Sequence, residues 1–318
     1  MPGQTSRFTL RQDITEYLKF SVPVTAAAFE THEDVAEEGY RRLRVSYLSE
    51  EGDSIPAYLL LPDQAAGGET LGAVLVHHQH HGQRHLGKSE VCGLVGDPLQ
   101  AFGPALARQG LVVLAPDSIC FEDRRKNRTG TEADEEADVD QHYNELCYRI
   151  LRGDTLMRKV LSDSAQAISI LRAMRQVAPD RIAILGHSYG GNTVLFHAAL
   201  DERIRLACAS GAAGTYHYKM AHQAGIEMAE VIPGFINLFD IPDLLACFAP
   251  RPVLIVSAAE DMASQDALEI VARAEAICAS VGLPASIEHK RYAGTHALTQ
   301  ERFEDILRWL VQRLKAVP

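Results

Sequence analysis

Gly186-His187-Ser188-Tyr189-Gly190 sets a serine hydroxyl between two glycines, with the apolar run Arg181 to Leu185 before it and a helical pattern, Asn192 to Ala199, after it. A serine on a strand-to-helix turn is forced into a strained backbone conformation, and small neighbours let the chain pass while the hydroxyl points into a cleft. The five-residue pattern has only three fixed positions and recurs by chance in ordinary loops; the strand and helix around it give it weight. A serine hydroxyl is a poor nucleophile near neutral pH, so this chemistry also demands a base and a carboxylate that orients the base. Arg251 to Ser257 reads as a buried strand and ends in Ala258-Ala259-Glu260-Asp261. A second strand-like run, Ser286 to Tyr292, leads into Ala293-Gly294-Thr295-His296, before a helical pattern from Gln300 to Leu314. An acid in a loop is ordinarily solvated and a lone histidine ordinarily structural. The order Ser188, Asp261, His296, each at the end of a strand, points instead to general-base-assisted attack on an acyl group.

Two other chemistries compete for the loop between these elements. Gly82-Gln83-Arg84-His85-Leu86-Gly87-Lys88-Ser89 satisfies the phosphate-cradling pattern of nucleotide hydrolases and follows a strand, while Val112 to Asp117 imitates an acidic, magnesium-holding strand. That mechanism needs a sustained helix opening at the lysine and serine, and here Gly93, Gly96 and Pro98 interrupt it almost at once. His77, His78, His80, His81 and His85 crowd the same loop. They raise a metal site, but residues 77 to 81 sit at a strand end, where successive side chains face opposite ways, and no acid among them could act as general base. The sequence therefore predicts packing histidines, no metal and no cofactor.

The strands that position these residues follow from periodicity. Tyr40 to Leu48 pairs with Ser54 to Leu61 across Glu51-Gly52-Asp53 as a hairpin. Leu71 to His77 and Leu111 to Pro116 are nearly continuous apolar runs separated by a helical stretch, Leu99 to Gln109, the mark of parallel strands buried on both faces. The alternation continues through a helix over Thr155 to Arg175, the strand before Ser188, and a strand over Ile204 to Ser210. The fold class is thus α/β, a doubly wound, mostly parallel sheet with helical crossovers and an N-terminal antiparallel hairpin. Residues 1–39 read as a partly helical, acidic N-terminal segment, and 40–318 as one domain with insertions near 120–153 and 214–250. Within the first insertion, Glu132 to Asp140 (EADEEADVD) reads as a solvated, mobile loop. The second carries Tyr216, His217, Tyr218, Phe235, Phe239 and Phe248; the segment is expected to pack over the strand ends and shape a pocket, while each aromatic taken singly reads equally well as core filling.

Composition bounds the partners. In 318 residues, 47% of them hydrophobic, the formal net charge is −11, which argues against nucleic acid and anionic membranes. No signal-like leader and no apolar run of membrane-spanning length is visible. Six cysteines lie at wide spacing without a Cys-x-x-Cys pair, as expected for reduced thiols and a cytoplasmic address. The partner expected is a small-molecule ester; composition leaves homo-oligomerisation open.

The Ser188 turn, the Asp261 and His296 positions and the stretch Val74 to Gly87 together resemble the α/β-hydrolase superfamily, and more narrowly its dienelactone hydrolase and acetyl xylan esterase-like branch. His78-Gln79, Leu114-Ala115-Pro116-Asp117 and Ala249-Pro250-Arg251-Pro252 look like that branch, and the likeness runs from about residue 40 to 316. It departs at Phe121-Glu122-Asp123-Arg124, where a glycine commonly follows the phenylalanine, and in the histidine-rich loop; both bear on the substrate rather than the reaction. The resemblance implies a Ser188, Asp261, His296 triad and an oxyanion hole made by the Tyr189 amide with the amide of Gln79 or else His80. The expected activity is metal-independent hydrolysis of small or acylated-sugar carboxylic esters through an acyl-enzyme. The alternatives are a peptidase resembling the hydrolase domain of prolyl oligopeptidases, although the residues before Tyr40 leave no place for their propeller, a non-catalytic ligand-binding scaffold of the same fold, and the P-loop-like nucleotide binder.

Overall fold

The computed structural model describes residues 7–316. Helix α1 (Arg7–Tyr17) precedes three antiparallel strands, β1 (Phe29–Glu37), β2 (Tyr40–Leu48) and β3 (Ser54–Pro62), and then β4 (Leu71–His77). Short helices α2 (Lys88–Val91) and α3 (Phe102–Arg108) lead to β5 (Val112–Pro116), and α4 (Glu135–Leu151) and α5 (Leu156–Ala173) lead to β6 (Val177–His187). The second half runs α6 (Tyr189–Leu200), β7 (Leu206–Ser210), α7 (Tyr216–Ala221), α8 (Ile241–Phe248), β8 (Val253–Ala258), α9 (Ala267–Ser280), β9 (Ile287–Tyr292) and α10 (Gln300–Ala316). All nine strands form one sheet in the order β1-β2-β3-β5-β4-β6-β7-β8-β9, parallel from β5 to β9. No described helix is long and apolar enough to cross a membrane.

The apolar runs of the central strands are continuous because each strand feeds two cores. Leu75, Leu114, Ile184 and Ile255 pack on one face with α1, α5, α6 and α8. Their neighbours Val74, Val113, Leu185 and Leu254 pack on the other with Phe102 and Leu106 of α3 and Ile306 and Leu310 of α10. Period-two alternation places successive residues on opposite faces, so every position must be apolar. All residues of β4, β5, β7 and β8 are buried, and their carboxyl ends, where the candidate residues sit, are thereby fixed.

Two segments differ from the sequence reading. The N-terminal segment 1–39 is helical only over α1 within the described residues; 29–37 is a strand that pairs with β2, so the expected hairpin is the inner part of a three-stranded meander. The strand is exposed along most of its length and shows no apolar alternation to read. Glu132 to Asp140 is not a solvated loop throughout, because α4 begins at Glu135 and Asp138 is buried in an ion pair with Arg125, 2.6 Å apart. A charge run thus becomes a helix once one of its acids finds a buried cation.

Buried cations also tie down the loops around the sheet. The hairpin turn is clamped by Arg124, which reaches Asp53 at 2.6 Å and Asp163 at 2.8 Å, and by Lys159, which reaches the same pair at 2.5 and 2.9 Å. Lys88 of the phosphate-loop pattern is 1% exposed and its ammonium lies among Asp117 (2.8 Å), Asp123 (2.7 Å) and Glu122. These three acids are the one group among the described residues close enough together to hold a metal ion, and the ammonium stands between them. Ser89 donates to Glu122 through both its amide and its hydroxyl, and α2 is only four residues long. The lysine, the serine and the helix that a phosphate would need are all committed to this cluster. Removing one partner of a buried ion cluster leaves uncompensated charge. Lys88→Met should therefore destabilise the protein by about 3–5 kcal/mol, read by urea unfolding; a loss below about 1 kcal/mol would mean that the three acids find other compensation.

Candidate active site

Ser188 occupies the turn between β6 and α6 with φ 56° and ψ −121°, a left-handed region that costs a non-glycine residue on the order of 1–3 kcal/mol. Its amide donates to the Ser210 carbonyl at 2.8 Å, so the adjoining strand β7 holds the strained residue. The flanking glycines answer to space. A Cβ on Gly186 would meet the Gly190 carbonyl carbon at 2.2 Å, and a Cβ on Gly190 would lie 2.5 Å from the His77 carbonyl oxygen and 2.8 Å from that of His78. The end of β4 is thereby packed backbone against backbone on the first turn of α6.

The structure brings Ser188, His296 and Asp261 together. His296 Nε2 lies 2.8 Å from Ser188 Oγ, and its Nδ1 lies 2.9 Å from Asp261 Oδ1. With a neutral imidazole, an Nδ1–H donating to the carboxylate leaves Nε2 to accept the serine proton. Asp261 is buried after β8, whereas its neighbour Glu260 is exposed, and that difference separates the two adjacent acids. Asp261 also accepts from Ser264 Oγ at 2.5 Å and from the Ala263 amide at 3.0 Å. Burial opposes its ionisation, but the His296, Ser264 and Ala263 hydrogen bonds prevail and hold its carboxyl below the ordinary value. Ser264 carried no signal in the sequence; it follows Asp261 by three residues in a tight turn.

The histidines after β4 divide by task. His77 Nε2 bonds Ser164 Oγ at 2.8 Å, and Ser164 in turn bonds His197 Nδ1 at 2.7 Å, a buried chain that ends on Asp201. His78 Nδ1 donates to the Gln79 carbonyl at 2.7 Å, and its Nε2 accepts from the Ser118 amide at 3.1 Å. Burial pushes its imidazole down to about 4. Gln79 is fixed through its side-chain amide, which donates to Glu90 Oε1 at 3.1 Å. His80 accepts from the Gly82 amide at Nδ1, and its ring lies 6.2 Å from that of Tyr189. The loop carrying Gln79 and His80 is thus held against the residue that follows Ser188.

A cleft of about 570 Å³ opens at Ser188 and His296. Its apolar wall is Ala224, Ile226, Met228 and Met262; its polar wall includes His80, Arg84, Glu227 and Glu260. Of the aromatic residues in the insertion, Tyr216, Phe235, Phe239 and Phe248 fill core rather than line the cleft. Phe235 is fully buried at the centre of a ring cluster with Tyr17, Phe196, Tyr216 and Phe239, and Phe248 is buried in the same core. The insertion supplies the cleft with its small and aliphatic residues, while Phe235 and Phe239 anchor it to Tyr17 of α1 and Phe235 to Phe196 of α6. Arg84 and Glu227 escaped the sequence reading: Arg84 lay inside the phosphate-loop pattern, and nothing around Glu227 distinguishes it.

Comparison with known proteins agrees with this architecture. The acetyl xylan esterase (AXE1) family pattern matches residues 12–230, more than half of the chain. YtaP of Bacillus subtilis (strain 168), which bears a provisional hydrolase name, is 28% identical over 213 residues, and the match spans 66% of each chain. Among solved structures, a Bacteroides fragilis NCTC 9343 protein provisionally named an acetyl xylan esterase superposes with a TM-score of 0.70 at 18% identity, covering 90% of this chain and 74% of its own. A glucuronoyl esterase from Solibacter usitatus superposes with a TM-score of 0.65 at 13% identity, covering 96% and 91%. At these identities the superpositions speak for the α/β-hydrolase fold, while the family pattern speaks for descent: this chain belongs to the acetyl xylan esterase (AXE1) family.

Proposed function

We propose that this protein hydrolyses carboxylic esters, with Ser188 as nucleophile, His296 as general base and then general acid, and Asp261 as the group that orients and stabilises the imidazole. The observation that carries this reading is the pair of hydrogen bonds through His296, 2.8 Å to Ser188 Oγ and 2.9 Å to Asp261 Oδ1, at a strained turn that opens into a cleft. Membership in an esterase family supports the same reaction class. As Ser188 Oγ attacks the acyl carbon, His296 Nε2 takes its proton, and Asp261 favours the imidazolium that forms. The negative charge that develops on the carbonyl oxygen calls for donors set beforehand, and the amide of Tyr189 with that of Gln79 or His80 are the candidates. Proton return from His296 to the leaving alkoxide frees the alcohol, and water attacks the resulting acyl-enzyme by the same route in reverse. The four residues from Ala224 to Glu227 and the polar wall around Arg84 suit a compact acyl group, such as the acetyl of an acylated sugar, better than a lipid chain.

Ser188→Ala should abolish turnover of p-nitrophenyl acetate with the melting temperature little changed, and Asp261→Asn should lower kcat by about 10⁴ while Glu260→Gln does not. Retained turnover in the serine variant would remove Ser188 from the mechanism, and damage confined to the Glu260 variant would move the acid by one residue. In a panel of esters from acetate to palmitate with aminoacyl amides alongside, activity should fall beyond about four to six carbons, since each methylene gains about 0.8 kcal/mol only where apolar room exists. A maximum at long chains would indicate a lipase-like groove, and a preference for the amides would favour a peptidase.

A further inference from the structure

Arg84 is an exception among the buried cations of this protein. Lys88, Arg124, Arg125, Arg149, Lys159 and Lys219 each lie within 3.0 Å of a carboxylate, and Arg302 donates to three backbone carbonyls. Arg84 is only 6% exposed, yet the one hydrogen bond its side chain makes among the described residues runs from Nε to His142 Nδ1, at 3.0 Å. His142 is fully buried and is kept neutral by burial and by the arginine beside it, so it fixes the plane of the guanidinium without supplying charge. The two terminal nitrogens, which form the fork that grips planar anions, donate to no described residue, and Arg84 lines the cleft that holds Ser188.

A second donor lies in the same wall. Because His80 Nδ1 accepts the Gly82 amide, the proton of its neutral ring sits on Nε2, which is buried and has no hydrogen-bond partner. The nearest acid, Glu227 Oε2, is 3.8 Å from it, too far for a hydrogen bond. Burial, with Glu230 adding repulsion, pushes the Glu227 carboxyl up to about 7, so it compensates Arg84 only in part near neutral pH. A chain that pairs its other buried cations internally has left one guanidinium fork facing the cleft and one imidazole N–H shut away from solvent, both without an acceptor among the described residues and both beside the candidate nucleophile; for the buried N–H that is costly.

We propose that Arg84, with the His80 Nε2–H beside it, holds a carboxylate of the substrate, so that this cleft selects esters carrying a free carboxylate near the scissile bond. The inference rests on the reading of Ser188 as the nucleophile of an ester hydrolase. Water adds across the acyl C–O bond in the usual way, its hydroxyl going to the acyl carbon and its hydrogen to the departing oxygen, and the carboxylate at Arg84 takes no part in bond making.

The test compares two pairs of esters that differ in that charge: 4-acetoxybenzoate against its methyl ester, with the charge on the leaving side, and p-nitrophenyl hemiglutarate against p-nitrophenyl valerate, with the charge on the acyl side. In wild type at least one pair should favour the acid by about tenfold or more in kcat/KM, carried by KM, as expected for hydrogen bonds to a charged group. Arg84→Gln should lower that ratio by about tenfold or more, with Arg84→Lys between the two. No preference for the acid in either wild-type pair, or a ratio that the glutamine substitution does not move, overturns the inference and leaves ester hydrolysis standing. Failure to hydrolyse any of the four esters overturns the parent reading as well. Should the Arg84 variants not fold, wild type decides by itself: benzoate and glutarate should inhibit hydrolysis of the uncharged esters competitively and less so in high salt, and absence of inhibition at tens of millimolar overturns the inference.

Discussion

The backbone contact between Gly190 and the carbonyls of His77 and His78 governs the site. It fixes the distance between the turn that carries Ser188 and the loop that carries Gln79 and His80, and no side chain, not even a methyl group, fits in the gap. Gly191 repeats the constraint toward β7, where a Cβ would come within 2.7 Å of the Ser210 carbonyl oxygen and of the Ala212 methyl. The strain at Ser188 is sustained by these contacts together with the hydrogen bond from its amide to Ser210, and the burial of the strands beneath supplies the stability that strain consumes.

Charge does the complementary work at the periphery. The chain is acidic, and its buried cations are placed where loops must be gathered: Lys88 collects the segment after β5, Arg124 and Lys159 collect the hairpin turn, and Arg125 collects the start of α4. Each pair trades a large desolvation cost for an equally local attraction, so these clusters specify which loop conformation is adopted more than they add to stability. Arg84 differs because its geometry is supplied by a neutral histidine, which leaves its charge to be answered from the cleft.

How far the sequence can be read follows from the same physics. The central strands are legible because burial on both faces writes continuous apolar runs, and the order of Ser188, Asp261 and His296 is legible because each stands at the end of such a run. Strand β1 is illegible because solvent covers most of it, which leaves no periodicity in Phe29 to Glu37. Helix α4 is masked by its own acids, since the pairing of Asp138 with Arg125 is tertiary and no local pattern announces it. Composition likewise cannot separate an aromatic that fills core, such as Phe235, from one that lines a cleft. The lysine of the phosphate-loop pattern is the clearest case: the motif is complete in sequence, and only the surrounding Asp117, Glu122 and Asp123 reveal that its charge is already taken.

The central claim is that Ser188 becomes acylated during turnover, and mass spectrometry of the whole protein tests it most directly. Quenching the enzyme in acid during hydrolysis of p-nitrophenyl acetate, or after exposure to a fluorophosphonate, should reveal one covalent adduct that maps to the peptide containing Ser188 and is absent when the protein is denatured first. Turnover without any adduct at Ser188, or labelling that persists in Ser188→Ala at another residue, would contradict the account.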